Sequence, residues 1–341
     1  MDFEIDFTQE NSREFEEIII PVPWGHIAGR WYGEKNVRPI LALHGWLDNY
    51  GTWDNLIPLM PPHIGVLAID MAGHGKSSRR PQGEVYHGFS YLADIIRVMD
   101  QYNWDKVSIM AHSMSSVIAF VFAALYPYRI DMLIQLDSLH PRINSPAHSI
   151  WQLNYSIEKF MLEERRIRES DFREPPSYTY DELVGRVHEG SNRSVDVDKC
   201  KHLIRTNVSK SKLYPSKYYF SRDPRVKYYL GFCFDDNFII AMAKRIKIPQ
   251  LVIKASESHT IDENNPVIEV LRKSNPYFEF HTLQGTHHVH LNNAPETSIL
   301  VNTFVHKWRP NSGAAAVVNV DGAKPQLQIC PTKPQGLNSK L

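Results

Sequence analysis

Cysteine is scarce in this 341-residue chain: Cys200, Cys233 and Cys330 are odd in number and far apart. Such a set argues against a disulfide framework and for a reducing or disulfide-free setting. No apolar run reaches the length of a bilayer span, so no membrane span is expected. The opening stretch MDFEIDFTQE is acidic and lacks the basic and apolar regions of a secretory leader. The N-x-S sequons at Asn154, Asn192 and Asn207 are then expected to go unused. Net charge is absent as well, with 38 Lys and Arg against 38 Asp and Glu, so no broad attraction to nucleic acid is implied. What remains, 43% hydrophobic and 22% charged residues, is ordinary for a soluble globular enzyme.

Short apolar runs alternate with helical spacing. Glu16–Val22 and His26–Tyr32 read as a strand pair, and Pro39–Leu43, Ile64–Ile69, Lys106–Met110 and Met132–Leu136 as buried strands. Helical spacing appears over Asn49–Leu59, Tyr86–Tyr102 and Val117–Tyr126. Continuous apolar strands between amphipathic helices predict a mostly parallel sheet covered on both faces, with ligands at the carboxyl ends of the strands. His44, Asp70, Ser113 and Asp137 fall at four such ends. Between 138 and 245 the alternation stops and a charged, helix-rich segment follows, exemplified by Ile150–Arg168. It reads as a lid or cap inserted into the sheet domain, with a separate helical binding domain as the other reading. Pro249–Lys254, Pro266–Lys273, Phe278–Leu283 and a closing helix over Pro295–Trp308 resume the pattern. The expected organisation is a core of residues 1–137 and 246–309, a cap over 138–245, and a flexible tail over 310–341.

The stretch KVSIMAHSMSS, residues 106–116, runs from strand to helix through a Ser. A nucleophilic Ser on a sharp strand–turn–helix corner needs small neighbours, usually as G-x-S-x-G. Both glycines are missing here, replaced by the small residues Ala111 and Ser115. A buried structural Ser is the alternative reading of these five residues. Late in the chain, Gly285-Thr286-His287-His288-Val289-His290-Leu291 supplies candidate bases. A metal site on His287, His288 and His290 is the other reading, disfavoured because no Cys or carboxylate cluster lies near in sequence.

Taken together, His44-Gly45-Trp46, Asp70-x-x-Gly73-His74-Gly75-x-Ser77, the elbow at Ser113 and the late Gly-x-His with His290-Leu291 resemble the α/β-hydrolase superfamily over residues 16–309. The degenerate elbow and HGWLDNYGTW make the chain most similar to the serine hydrolase-like, kraken-related branch. The resemblance implies an α/β-hydrolase fold with Ser113 as nucleophile and His287 as base, His288 being the other option. It implies an oxyanion hole formed by the amides of Trp46 and Met114. For the acid, the usual position after Pro249–Lys254 aligns with Ser258, which is not acidic. Asp137, after the strand that follows the elbow helix, fits a known variant, and Glu257 and Asp262 are alternatives. A Ser at the elbow favours acyl transfer, and the implied activity is cleavage of a small or medium acyl ester or thioester without cofactor or metal. A catalytically retired fold that binds a small ligand or a protein is the alternative.

The final residues, Ser339-Lys340-Leu341, match a receptor-read peroxisomal address. The expectation is a peroxisomal protein met by the import receptor, with the cytoplasm as fallback.

Overall fold

Ile40, Leu41, Ala42 and Leu43 are all fully buried, which requires a strand covered on both faces. The computed structural model describes residues 13–142, 145–169 and 174–309. The expected tail and its terminal tripeptide lie outside them. Among the described residues the main sheet has eight strands: β1 (Phe15–Val22), β2 (Gly25–Tyr32), β3 (Ile40–Leu43), β4 (Val66–Ile69), β5 (Val107–His112) and β6 (Ile130–Leu136), followed after an insertion by β9 (Gln250–Ala255) and β10 (Phe278–Leu283). Their order is β1-β2-β4-β3-β5-β6-β9-β10. The β1–β2 and β2–β4 pairs are antiparallel, and the rest of the sheet is parallel.

Alternation along each strand feeds two cores. On one face, Leu41, Leu43, Ile109 and Val252 pack with helices α1 (Gly88–Gln101), α2 (Met114–Leu125), α6 (Asp236–Arg245) and α7 (Pro266–Ser274). On the other, Ile40, Ala42, Met110, Leu251 and Ile253 pack with Val301, Phe304 and Val305 of α9 (Ala294–Trp308). A four-residue helix, α8 (Val289–Asn292), precedes α9. The sheet expected from the apolar runs is therefore present, with its strands within a few residues of the expected bounds.

The single helix expected over Asn49–Leu59 is instead two 3₁₀ turns, Tyr50–Trp53 and Ile57–Leu59. The Asn49 side chain accepts from the Gly51 N–H and starts the first turn, and Pro58 lies in the second. A Cβ on Gly51 would stand 2.1 Å from the His202 carbonyl oxygen, so close contact with the insertion shapes this stretch.

The insertion carries α3 (Pro146–Glu169), α4 (Tyr180–Gly190), α5 (Cys200–Arg205) and a small antiparallel pair, β7 (Val208–Lys210) with β8 (Tyr218–Phe220). Thr179 and Glu182 close a capping box at the start of α4. Helix α6, grouped with the insertion by the texture of the sequence, packs in the main core through Ile239, Met242 and Ala243. Its charged exposed face hid that allegiance. Buried ions tie insertion to core. Asp54 receives Arg30 at 3.0 Å, His202 at 3.3 Å and also Arg205.

Candidate active site

The parallel strands end on one side of the sheet, and the loops after β3, β4, β5, β6 and β10 converge there. Ser113 follows β5 and precedes α2, at φ +51° and ψ −117°. That region is unfavourable for any residue with a Cβ, by roughly 1–3 kcal/mol. Its surroundings hold it in place. The Ser113 N–H donates to the Leu136 carbonyl at 3.1 Å, and the Ser116 hydroxyl donates to the Ala111 carbonyl at 2.8 Å. Ser115, where the usual motif has glycine, donates its hydroxyl to the His44 carbonyl. The absent glycines are thus replaced by one small side chain and one small side chain with a hydrogen bond.

His287 lies on the loop between β10 and α8. Its Nε2 is 2.7 Å from the Ser113 Oγ, and its Nδ1 is 2.6 Å from the Asp137 Oδ2. Asp137 follows β6 at φ +46° and is wholly buried. Its carboxylate also accepts from the Ala255 N–H at 2.8 Å and the Thr260 hydroxyl at 2.9 Å. A buried carboxylate supplied with this many donors is compensated for its lost hydration. Ser258, at the usual acid position, instead meets the Thr260 hydroxyl at 2.9 Å. Neither alternative acid reaches the imidazole in this arrangement. Glu257 accepts from Gln284 at 2.6 Å, and Asp262 accepts from the Asn264 N–H at 2.9 Å.

The turn after β3 faces the elbow. Its Leu47 N–H donates to His74 Nε2 at 3.3 Å, and His44 Nε2 accepts from the Met71 N–H at 2.9 Å. Asp70 accepts from the Tyr50 and Lys76 N–H groups, both at 2.7 Å. The HGW turn and the loop after β4 are thereby locked together. The amide of Met114 is the first of α2 and has no carbonyl partner within its helix. Among the described residues, the amide of Trp46 has none either. The Trp46 indole N–H donates to the Val226 carbonyl of the insertion at 2.9 Å.

His288, the other candidate base, points elsewhere. Its Nδ1 is 2.8 Å from the Ser194 hydroxyl and its Nε2 is 3.3 Å from the Asp48 Oδ2. His112 lies beside it, with Nε2 at 3.0 Å from the His287 carbonyl and Nδ1 at 3.5 Å from Asp48. Burial pulls the His112 imidazole down to about 4, against which the Asp48 carboxylate raises it. Burial raises the Asp48 carboxyl, but His288 and His112 outweigh it and hold Asp48 well below the usual range. Asp48, His112 and His288 bring three possible ligand atoms within 4.8 Å of one another, the arrangement among the described residues best suited to a metal ion. Of the late histidines His287, His288 and His290, only His288 belongs to it. His290 turns to Thr52, 2.8 Å away. Asp48, Thr260 and Ser194 were not singled out from sequence. Asp48 was visible only as part of the HGWLDN stretch, and the hydroxyls carry no local signal.

Ser113, His287, Trp46, Asp48, His112 and His288 all line one cavity of about 800 Å³, roofed by residues of α4 and of the loop 191–194 that follows it.

A strand–elbow–helix Ser, an imidazole after the last strand and a carboxylate after the sixth define a hydrolase-type fold, and the chain belongs to the α/β-hydrolase family. The family model described as alpha/beta hydrolase fold matches residues 38–294. Within the family the chain is related to serine hydrolase-like proteins. It is 34% identical over 283 residues to a "Probable serine hydrolase" of Drosophila melanogaster, covering 81% of this chain and 83% of the fly protein. It is 30% identical over 307 residues to a "Serine hydrolase-like protein" of Danio rerio, covering 88% and 91%. Among solved structures, a hypothetical protein from Pseudomonas aeruginosa PAO1 superposes with a TM-score of 0.72 at 24% identity, covering 85% of this chain and 99% of that one. The thioesterase domain from the curacin biosynthetic pathway gives 0.69 at 19%, covering 85% and 99%. These two share the fold.

Proposed function

We propose that the protein is a serine hydrolase that cleaves a small or medium acyl ester or thioester through an acyl-enzyme. The observation that carries this reading is the chain of two hydrogen bonds, 2.7 Å and 2.6 Å long, from Ser113 through His287 to Asp137. The Ser113 hydroxyl attacks the acyl carbon while His287 Nε2 takes its proton. Asp137 holds the imidazole by Nδ1 and stabilises the positive charge that forms on it. The amides of Trp46 and Met114 receive the oxyanion. The imidazolium then hands its proton to the departing alcohol or thiol. A water activated by the same His287 releases the acid and restores Ser113. No metal or cofactor enters these steps. The serine hydrolase names of the relatives support the reaction class, and the thioesterase title of one neighbour of similar fold is consistent with a thioester among the substrates.

The test is labelling with a fluorophosphonate. Modification of Ser113 in the wild-type protein, lost in Ser113→Ala, is the expected result. A folded wild-type protein that stays unlabelled from neutral to alkaline pH would favour a ligand-binding relative without turnover. The proposal extends to location. The terminal Ser339-Lys340-Leu341 supports delivery by the peroxisomal import receptor, and a tag fused after Leu341 is expected to leave the protein in the cytosol. Retention in the organelle despite the tag would remove that support.

A further inference from the structure

Buried arginines in this protein meet carboxylates. Arg30 pairs with Asp54 at 3.0 Å, Arg80 with Asp94 at 2.6 Å and Arg225 with Asp223 at 2.7 Å. Arg222, half-buried at the cavity surface, has no such carboxylate. It follows β8, its guanidinium carbon lies 4.1 Å from the centre of the Phe220 ring, and it lines the cavity that holds Ser113 and His287. Among the described residues, no carboxylate stands within ion-pair distance of it and no side chain or carbonyl accepts its hydrogen bonds. Burial draws its pKa down to about 10, opposed by Asp48 and Tyr178. Asp48 is the carboxylate it senses, yet that group is already engaged by His288 and His112.

A half-buried guanidinium with no protein acceptor is free to take an anionic one. Among the described residues, Arg222 stands without an ion-pair partner on the wall of the cavity that also holds Ser113 and His287. The lining as a whole leans the same way, with Arg142, Arg186, Arg193 and Arg222 against Asp48 and Glu257. Arg193 is partly answered by Glu189 at 3.0 Å, outside the lining. Phe220 covers one face of the Arg222 guanidinium, and its planar fork suits a carboxylate or phosphate held by paired hydrogen bonds.

We propose that the substrate carries an anionic group, a carboxylate or a phosphate, that pairs with Arg222 while the scissile acyl carbon rests at Ser113. This rests on the hydrolase reading above and names its substrate class. The anion could belong to the acyl part, as in a half-ester of a dicarboxylic acid, or to the leaving group, as in a phosphorylated thiol carrier.

Two matched substrate pairs separate these sources. One pair is an aryl monoester of a dicarboxylic acid against the equally long neutral acyl ester. The other is an acyl thioester of phosphopantetheine against that of pantetheine. The expected result is a kcat/KM ratio favouring the anionic member of at least one pair by roughly tenfold or more, collapsing in Arg222→Gln and falling less in Arg222→Lys. Circular dichroism checks that each variant is folded. Should Arg222→Gln fail to fold, Arg222→Lys, which keeps the charge and loses the fork, carries the comparison. Turnover of both members at equal rates, or a preference untouched in both variants, overturns the inference and leaves the hydrolase reading intact. A failure of the hydrolase reading shows separately, as absent phosphonate labelling. In that case calorimetric titration of the full-length protein with glutarate and with inorganic phosphate decides. Binding that is lost in Arg222→Gln supports the anion site, and no binding of either overturns it.

Discussion

Asp137 illustrates how much can rest on one side chain. It is fully buried, its backbone is at φ +46°, and its carboxylate accepts from His287, Ala255 and Thr260. Asp137→Asn keeps the shape but offers an amide where a carboxylate held the Nδ1–H. The wrong imidazole tautomer then faces Ser113. Turnover of an activated ester is expected to fall by about ten-thousand-fold in a folded protein, and stopped-flow or steady-state rates would check it. Turnover equal to wild type would move the acid role to another residue. His112 sets a pH dependence. Its imidazole titrates near 4 when folded because of burial, against roughly 6.5 in an unfolded chain. The native state therefore refuses a proton that the unfolded chain takes up. The contribution to stability is complete above pH ~6.5 and is lost as pH falls toward ~4, by about 3 kcal/mol in all. His74 and His290, also lowered by burial, act in the same direction. Urea midpoints at neutral and mildly acidic pH should drop less in His112→Gln than in wild type.

At the scale of elements, the elbow between β5 and α2 depends on a serine, Ser115, where its motif class has glycine. Ser115 spans from the first turn of α2 to the His44 carbonyl, which begins the HGW turn. Restoring the glycine by Ser115→Gly would improve the motif and weaken the protein. It removes a buried hydrogen bond, leaves the His44 carbonyl without its donor and adds backbone freedom, for about 1–2 kcal/mol of lost stability. Chemical denaturation measures that, and an equal or higher stability would show the Ser115 hydroxyl to be dispensable. The elements were also where sequence reading was most secure. The strand ends carrying Trp46, Ser113, Asp137 and His287 follow from apolar runs stopped by polar or small residues, a local property. The span Asn49–Leu59 misled because the helical spacing of Leu56 and its neighbours is shared by consecutive 3₁₀ turns, and the choice was made by Asn49, Pro58 and the nearby His202 carbonyl.

Across the whole molecule, the insertion is joined to the sheet domain by apolar contacts, with Phe160, Val226 and Phe232 in the main core, and by buried ions. Asp54, between the two 3₁₀ turns, binds Arg30 of β2 together with His202 and Arg205 of α5. Asp54→Ala would strand two guanidinium groups in a dry interface, and a loss of about 3–5 kcal/mol is expected. Thermal melting gives the magnitude, and limited proteolysis should show cleavage within the insertion rising before that of the sheet domain. Cleavage that begins in the sheet domain would contradict this role for Asp54.

Periodicity, strand-end residues and short motifs were enough to establish an α/β sheet, the position of the elbow and a short list of partners for Ser113, because each is written in neighbouring residues. Which carboxylate meets His287 was not, since Asp137, Glu257 and Asp262 are all acids on loops near strand ends. Only the packing of β6 against β9 puts the Asp137 oxygens at the imidazole and sends the Thr260 hydroxyl to the same carboxylate. The environment of Arg222 was equally hidden. Whether a guanidinium finds a carboxylate depends on contacts between segments far apart in the chain, and a run of residues carries no record of a partner that is missing.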